Sequence, residues 1–412
     1  MSAEKTTPIS FDNTEYAFAY KTNPELNKAN WLFAAMGNPF LLKTGLALMP
    51  FALKWRIPFT KSLIRATLFN QFVGGETLSK TKPVSSRLHD YKVQVILDYG
   101  VEGGLREDAF DAATAAFIEV VTHASTQPNI PFISIKVTGI GSFALLEKIQ
   151  WQMSQSQEAD LQKRFQDAIG QLTPTEQSAL KRCESRLETI CKVAKEKKVG
   201  ILIDAEESWI QDPVDVLTMR MMKAFNQDIC IVYNTIQLYR HDRFSFLQRS
   251  HQDSVQHKYL LGVKLVRGAY MEKERARAES MGYVSPVQLD KESTDKDYNA
   301  AVDYCLQHLV HISVIIASHN EASNLRAVNT MIQNGLTMHH PHIHFSQLYG
   351  MSDNITFNLA KAGCSVSKYL PFGPIKEVIP YLMRRAQENS SVAGQTGREL
   401  ALIHKEIHRR KK

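Results

Sequence analysis

From residue 91 onward the chain repeats one pattern, a short apolar run followed by an amphipathic helical stretch. The runs lie at 92–97, 132–137, 200–203, 229–233, 260–266, 312–317, 342–348 and 365–370. Helical periodicity follows them, for example over 107–124, 213–225, 293–309, 323–334, 353–362 and 375–387. Strands buried on both faces read as continuous apolar runs, and alternation with helices is the mark of a parallel α/β sheet. Eight such units predict a closed (β/α)8 barrel of the TIM type. No GxGxxG follows the first run, which weighs against an open dinucleotide-binding sheet. The long connection over 142–199 reads as a helical insertion between strands 2 and 3. Residues 1–90 read as an N-terminal helical arm, with apolar periodicity over 27–35, 39–53 and 60–72 and a break at Gly74-Gly75. The expected organisation is therefore an arm (1–90), a barrel (91–395) and a basic C-terminal tail (396–412).

Composition narrows the class. The 412 residues are 44% hydrophobic and 22% charged, ordinary for a globular chain, and the net charge of +7 is spread along the sequence. That excess does not argue for nucleic acid. The five cysteines are far apart, odd in number and form no CxxC pair, which predicts free thiols in a reducing compartment. No secretory signal pattern opens the chain. The apolar stretch 44–53, between Lys43 and Lys54, is shorter than the roughly 20 residues a spanning helix needs. It reads as a packed helical arm in preference to a membrane-surface helix. The terminal Arg-Arg-Lys-Lys run reads as a flexible, solubilising end, with a weak contact to anionic membrane as the functional alternative.

In a (β/α)8 barrel, chemistry sits at the C-terminal ends of the strands. Those ends carry Asp98 and Glu102; Lys136; Asp204 with Glu206 and Glu207; Asn234 and Gln237; Lys264, Arg267 and Tyr270; Ser318, His319 and Asn320; Leu348 and Tyr349; and Lys368 and Tyr369. Each has a bland reading as a polar strand end or a salt bridge. Together they make a mixture of cations, carboxylates and amides without metal-ligand spacing and without a nucleophile on a glycine elbow. The histidines at 339, 340, 342 and 344 stand at the entry to the seventh strand, the wrong end for catalysis, so no metal is expected. In the last helical stretch Tyr381, Arg384, Arg385 and Glu388 share one face. Either that face is a solvated stripe, or it lies over the barrel mouth, where paired arginines clamp a small carboxylate.

Four motifs in order, Asp204-Ala-Glu-Glu, Lys-Leu-Val-Arg-Gly-Ala-Tyr over 264–270, Ser318-His-Asn and Tyr381-Leu-x-Arg-Arg-x-x-Glu-Asn, closely resemble those of the proline dehydrogenase family across about residues 91–395. The order of Lys264 and Arg267 is similar to the eukaryotic-type branch; bifunctional bacterial members carry Arg and Lys there. The resemblance implies non-covalent FAD contacted by Gln237, Lys264, Arg267, Gly268, Ala269, Ser318, His319, Asn320 and Glu388. It implies a substrate carboxylate held by Lys136, Arg384 and Arg385, and a ring enclosed by Tyr270, Leu348, Tyr369 and Tyr381. Lys264, Asp204 and Glu102 take the catalytic roles, Lys264 beside the flavin, Asp204 supporting it and Glu102 gating the pocket through Arg385. The implied reaction is oxidation of L-proline to 1-pyrroline-5-carboxylate, with a quinone as acceptor, peripheral membrane contact and a separate dehydrogenase for the product. The implied location is cytoplasmic or at the inner face of a membrane, the matrix side in a mitochondrion. The rival readings are 4-hydroxyproline oxidation on the same fold, which the bulk of Tyr369 disfavours, and a flavin-free Schiff-base lyase using Lys136 or Lys264.

Overall fold

The computed structural model describes residues 9–55, 57–100, 106–391 and 395–412. Eight parallel strands are hydrogen-bonded in sequential order into a closed barrel: β1 (Gln94–Tyr99), β2 (Phe132–Ile135), β3 (Gly200–Ile203), β4 (Val232–Gln237), β5 (Leu261–Val266), β6 (Ile312–Ala317), β7 (Ile343–Leu348) and β8 (Val366–Phe372). The expected fold class and strand number hold. Three strands are shifted toward their C-terminal ends relative to the apolar runs. β1 starts at Gln94 because Lys92 turns through a left-handed conformation (φ 60°). β4 runs on to Gln237 because its polar residues are bonded inside the fold. Asn234 donates to Asp215 (2.9 Å) and Thr235 to the Ile203 carbonyl (2.8 Å). β8 continues through Pro371 to Phe372.

The chain divides into two compact units. One comprises 96–318 and 341–343. Its strands pair in parallel from β1 to β6, with Ile96 opposite Phe132, Ile133 opposite Ile201, Asn234 opposite Val263 and Lys264 opposite Ile315. The insertion is helical, as expected: Phe143–Ser154, Leu161–Gly170 and Pro174–Lys197. The last begins with a reciprocal Thr173–Glu176 capping box and Pro174 in its first turn, where a missing N–H costs nothing. The helix after β3 starts at Ser208, five residues before the expected 213, and carries Pro213 inside it.

The other unit comprises 1–95, 319–340 and 344–412. Here α1 (Thr14–Phe18), α2 (Asn23–Met36), α3 (Pro39–Lys54) and α4 (Thr60–Ile64) build the arm. A π-helical stretch, Arg65–Phe69, follows. Phe18, Phe33, Phe72, Met351, Val378 and Leu382 form its core. Gly74 is required by contact: a Cβ there would stand 2.7 Å from the Leu370 side chain. The 396–412 segment corrects an expectation. It is not a flexible tail. Gln395–Lys411 is a helix that buries Leu402 and Ile403 in the same core. Two of its terminal cations are bonded: Arg409 and Arg410 to Glu406 (2.8 and 2.7 Å), and Arg410 also to the Phe18 and Lys21 carbonyls. A charge run favours solvent only when no carboxylate or carbonyl is placed to receive it. The five cysteines are free thiols, four of them buried.

Leu402→Ala should therefore destabilise the protein by about 2–4 kcal/mol in chemical denaturation, a core-cavity penalty. A truly flexible tail would show no change.

Candidate active site

In the unit of 96–318, Lys264 projects from β5 and is 5% exposed. Its ammonium pairs with the Asp204 carboxylate, which follows the end of β3. Removing either partner of a buried pair leaves an uncompensated charge, costing about 3–5 kcal/mol. Lys136 follows β2. Partial burial acts to lower its pKa, yet Asp98 first, then Tyr270, Asp204 and Glu206, outweigh that effect and hold the ammonium above its ordinary value. Asp204 thus serves two cations, one by contact and one through its field. Glu206 is buried, and burial pushes its carboxyl up to about 7 against the opposing pull of Lys136 and the Thr138 hydroxyl, which lies 2.9 Å away.

Gln237, at the end of β4, donates from Nε2 to the Glu206 carbonyl at 2.8 Å. Its Oε1 is buried and has no hydrogen-bond partner among the described residues. An orphaned acceptor of this kind costs about 1–3 kcal/mol unless a bound group satisfies it. Arg267 donates to Asp295 (2.7 Å) and to Ser318 (2.7 Å), and its guanidinium lies over the Tyr298 ring at 4.2 Å. Gly268 adopts φ 137°, and any Cβ there would strike the Tyr239 ring. The helix that starts at Met271 is fastened by Glu274, fully buried, which accepts from the Ser208 amide and hydroxyl, both at 2.6 Å. Lys136, Asp204, Lys264 and Tyr270 therefore belong to one electrostatic cluster, Gln237 is tied to the Glu206 backbone, and Arg267 and Ser318 are bonded to each other directly.

The other assigned residues that the structure describes belong to the unit of 1–95, 319–340 and 344–412. His319 Nδ1 lies 2.9 Å from Ser352 Oγ. Ser352 holds a left-handed conformation (φ 50°), and its amide donates to buried Glu399. Burial first, then the nearby Asp353 charge, raise the Glu399 carboxyl to about 7, opposed by the Ser352 amide and Lys368. Asn320 caps the helix Glu321–Gln333, accepting from the Ser323 amide. Leu348 and Tyr381 pack against the arm's core, and Arg385, 5% exposed, lies over the Tyr381 ring at 5.1 Å. Arg384 and Tyr369 are half-buried. Lys368 proves to be structural: fully buried, it donates to the Met351 carbonyl (2.5 Å) and pairs with Asp353 (2.9 Å). Glu102 and the side chain of Glu388 lie outside the described residues. No metal-holding group of histidine, cysteine and carboxylate occurs among the described residues. Asp295, Glu274 and Glu399 were not foreseen as part of this architecture, since their partners are 28, 66 and 47 residues away.

A parallel barrel whose strand ends carry buried lysine–carboxylate pairs and an unsatisfied amide acceptor has the build of a (β/α)8 enzyme. Residues 82–398 match the family model described as proline dehydrogenase. The chain belongs to the proline dehydrogenase family. Among curated relatives it is 33% identical over 347 residues to the carbapenem antibiotics biosynthesis protein CarD of Pectobacterium carotovorum subsp. carotovorum, covering 82% of this chain and 83% of that one. It is 32% identical to mitochondrial proline dehydrogenase 1 of Dictyostelium discoideum (84% and 65%) and 32% identical to hydroxyproline dehydrogenase of Xenopus laevis (84% and 78%). The proline utilization A structure from Bdellovibrio bacteriovorus superimposes with a TM-score of 0.69 at 19% identity, over 95% of this chain and 40% of that one, which shows a shared fold.

With a folded pKa near 7 against 4.5 when exposed, Glu399 holds a proton that the unfolded chain releases. Stability from this group is present below pH 4.5 and lost as pH rises through 7, by roughly 3 kcal/mol. Denaturation midpoints of Glu399→Gln should be flatter than wild type across that window. An unchanged slope would show that Glu399 is ionised in the folded protein.

Proposed function

We propose that this chain is an FAD-dependent dehydrogenase that oxidises L-proline to 1-pyrroline-5-carboxylate and passes the electrons to a quinone. The observation that carries the reading is the buried Lys264–Asp204 pair beside Lys136 and Gln237. When bound, FAD would supply the chemistry by accepting hydride at N5 from carbon 5 of the proline ring. The residues present fit such a group. Gln237 offers a buried acceptor that no donor among the described residues fills, which a flavin N–H or ribityl hydroxyl would satisfy. Lys264 would stand beside the ring, with Arg267, Gly268, Ala269 and Ser318 as further contacts. On the family pattern the cofactor role extends to His319, Asn320 and Glu388 in the other unit.

The chain's own residues then have distinct tasks. Asp204 fixes the Lys264 ammonium in one position, so a cation is already in place where negative charge grows during hydride transfer. Lys136, kept protonated by its carboxylate neighbours, would bind and orient the substrate carboxylate. Arg384 and Arg385 are assigned the same acid, Tyr270, Leu348, Tyr369 and Tyr381 the ring, and Glu102 the gate, on the family pattern. The product would pass to a separate dehydrogenase. The quinone acceptor implies peripheral contact with a membrane, the inner one where the chain works in a mitochondrion. The hydroxyproline-oxidising relative makes 4-hydroxyproline the substrate to compare.

The purified protein should show a flavin absorption band that bleaches when L-proline is added without oxygen. Bleaching faster with 4-hydroxyproline would transfer the assignment to that substrate, and no flavin band after adding FAD would overturn it. Lys264→Met should slow proline-dependent bleaching about 10²–10³-fold while FAD stays bound, as loss of one preorganised electrostatic group does. Full activity in that variant would remove Lys264 from the chemistry.

A further inference from the structure

The arm presents a surface that the reaction does not use. In α3, at 100° per residue, Phe40, Phe51, Thr44, Trp55, Leu48 and Leu41 fall within an arc of about 100°, with Trp55 just past the helix end. The five apolar members are all exposed, Phe40 by 76% and Trp55 by 67%. The phenyl ring of Phe51 and the indole of Trp55 pack side by side at 5.8 Å. On the far side of the same helix Met49 packs against the unit's core. α3 therefore has two apolar faces, one buried and one outward, whereas a surface helix of a globular protein has one. The turn beyond continues the outward face. Ile57, Phe59 and Leu63 are exposed, Phe59 by 85%. Phe59 also holds φ 64°, a conformation a bulky residue rarely takes, and it displays its ring to solvent from there.

Charge says what this face meets. Between Glu25 and Glu76 the sequence contains no aspartate or glutamate, but it carries Lys28, Lys43, Lys54, Arg56, Lys61 and Arg65. Arg65 is taken up by Glu76 (2.5 Å). Among the described residues Lys43, Lys54 and Lys61 form no ion pair. Aromatic and leucine side chains on one arc, with lysines at its border and no carboxylate, are the composition of a helix lying in a lipid–water interface. A protein partner of complementary charge would leave the wide apolar arc to be matched separately; anionic lipid matches both at once. The spanning alternative fails. α3 has 16 residues, and among the described residues no single helix is long and apolar enough to cross a membrane; the bent pair of α2 and α3 has the length and composition, but α2 buries Leu26, Ala29, Leu32, Phe33 and Met36 in the core. The basic C-terminal helix is a poorer candidate, since Arg409 and Arg410 are committed to Glu406 and to backbone carbonyls.

We propose that the outward stripe of α3 and the turn through Leu63 seat this protein on an anionic lipid bilayer, rings and leucines among the acyl chains and Lys43, Lys54 and Lys61 on the phosphates. This surface would place the enzyme beside a membrane-dissolved acceptor, but it stands on the exposed residues and not on the flavin assignment.

The test is co-sedimentation of the full-length, FAD-loaded protein with vesicles of phosphatidylcholine alone and of phosphatidylcholine containing phosphatidylglycerol. Wild type should bind the anionic vesicles, and bind the neutral ones much less. The double variant Phe51→Ser/Trp55→Ser and, separately, Lys43→Glu/Lys54→Glu should each lower binding about tenfold or more. Both variants should keep the wild-type melting temperature and the rate of proline-dependent reduction of a soluble dye. Failure of dye reduction in every form, wild type included, would count against the flavin reading and leave the vesicle result intact. Undiminished vesicle binding in the variants, equal binding to both vesicle types, or no binding at all would overturn the proposal. So would a wild-type dimer by light scattering that Phe51→Ser/Trp55→Ser converts to monomer, since the face would then belong to a second copy.

Discussion

Burying a charge is affordable only beside its opposite, and that rule shapes the strand ends of this barrel. Lys264 cannot sit inside β5 without Asp204, and Asp204 cannot sit past β3 without a cation. Because closure brings the strand ends together, carboxylates from separate strand ends act on one ammonium, that of Lys136, and keep it charged against its own burial. The arrangement holds two cations in place by the protein's own carboxylates.

Much of this was legible in the sequence. β3 and β6 match their apolar runs at both ends, and the run Lys-Leu-Val-Arg-Gly-Ala-Tyr marked the fifth strand and its cations together. The misses share a physical cause. Apolar runs locate strands by what they bury, so β4 was cut short where its buried side chains are polar: Asn234, Thr235 and Gln237 donate to Asp215, the Ile203 carbonyl and the Glu206 carbonyl. Nothing local distinguishes Lys368 from a functional strand-end lysine, because its partners, Asp353 and the Met351 carbonyl, are supplied by the fold. Glu399, Leu402, Ile403, Glu406 and Arg410 do recur at helical spacing, but the four terminal cations masked that signal.

The two regular surfaces of the arm illustrate the limits of periodicity more sharply. A helix with apolar residues on both faces has a weak amphipathic signal, so 39–53 read as a packed segment. Packing is indeed what Met49 does. Only three-dimensional structure separates the residues that find the core from Phe40, Phe51 and Trp55, which do not.

The core of the arm has a consequence for how the chain is made. Phe18, Phe33 and Phe72 leave the ribosome long before Val378, Leu382, Leu402 and Ile403, with which they share one core. The strands of 96–318 pair with near neighbours and can close progressively, but the arm's packing on Val378, Leu382, Leu402 and Ile403 waits until those residues emerge. Contacts of such wide sequence separation form slowly. Until those residues emerge, the nascent arm exposes apolar surface of the kind chaperones bind, and its packing is timed by the synthesis of the 378–403 segment.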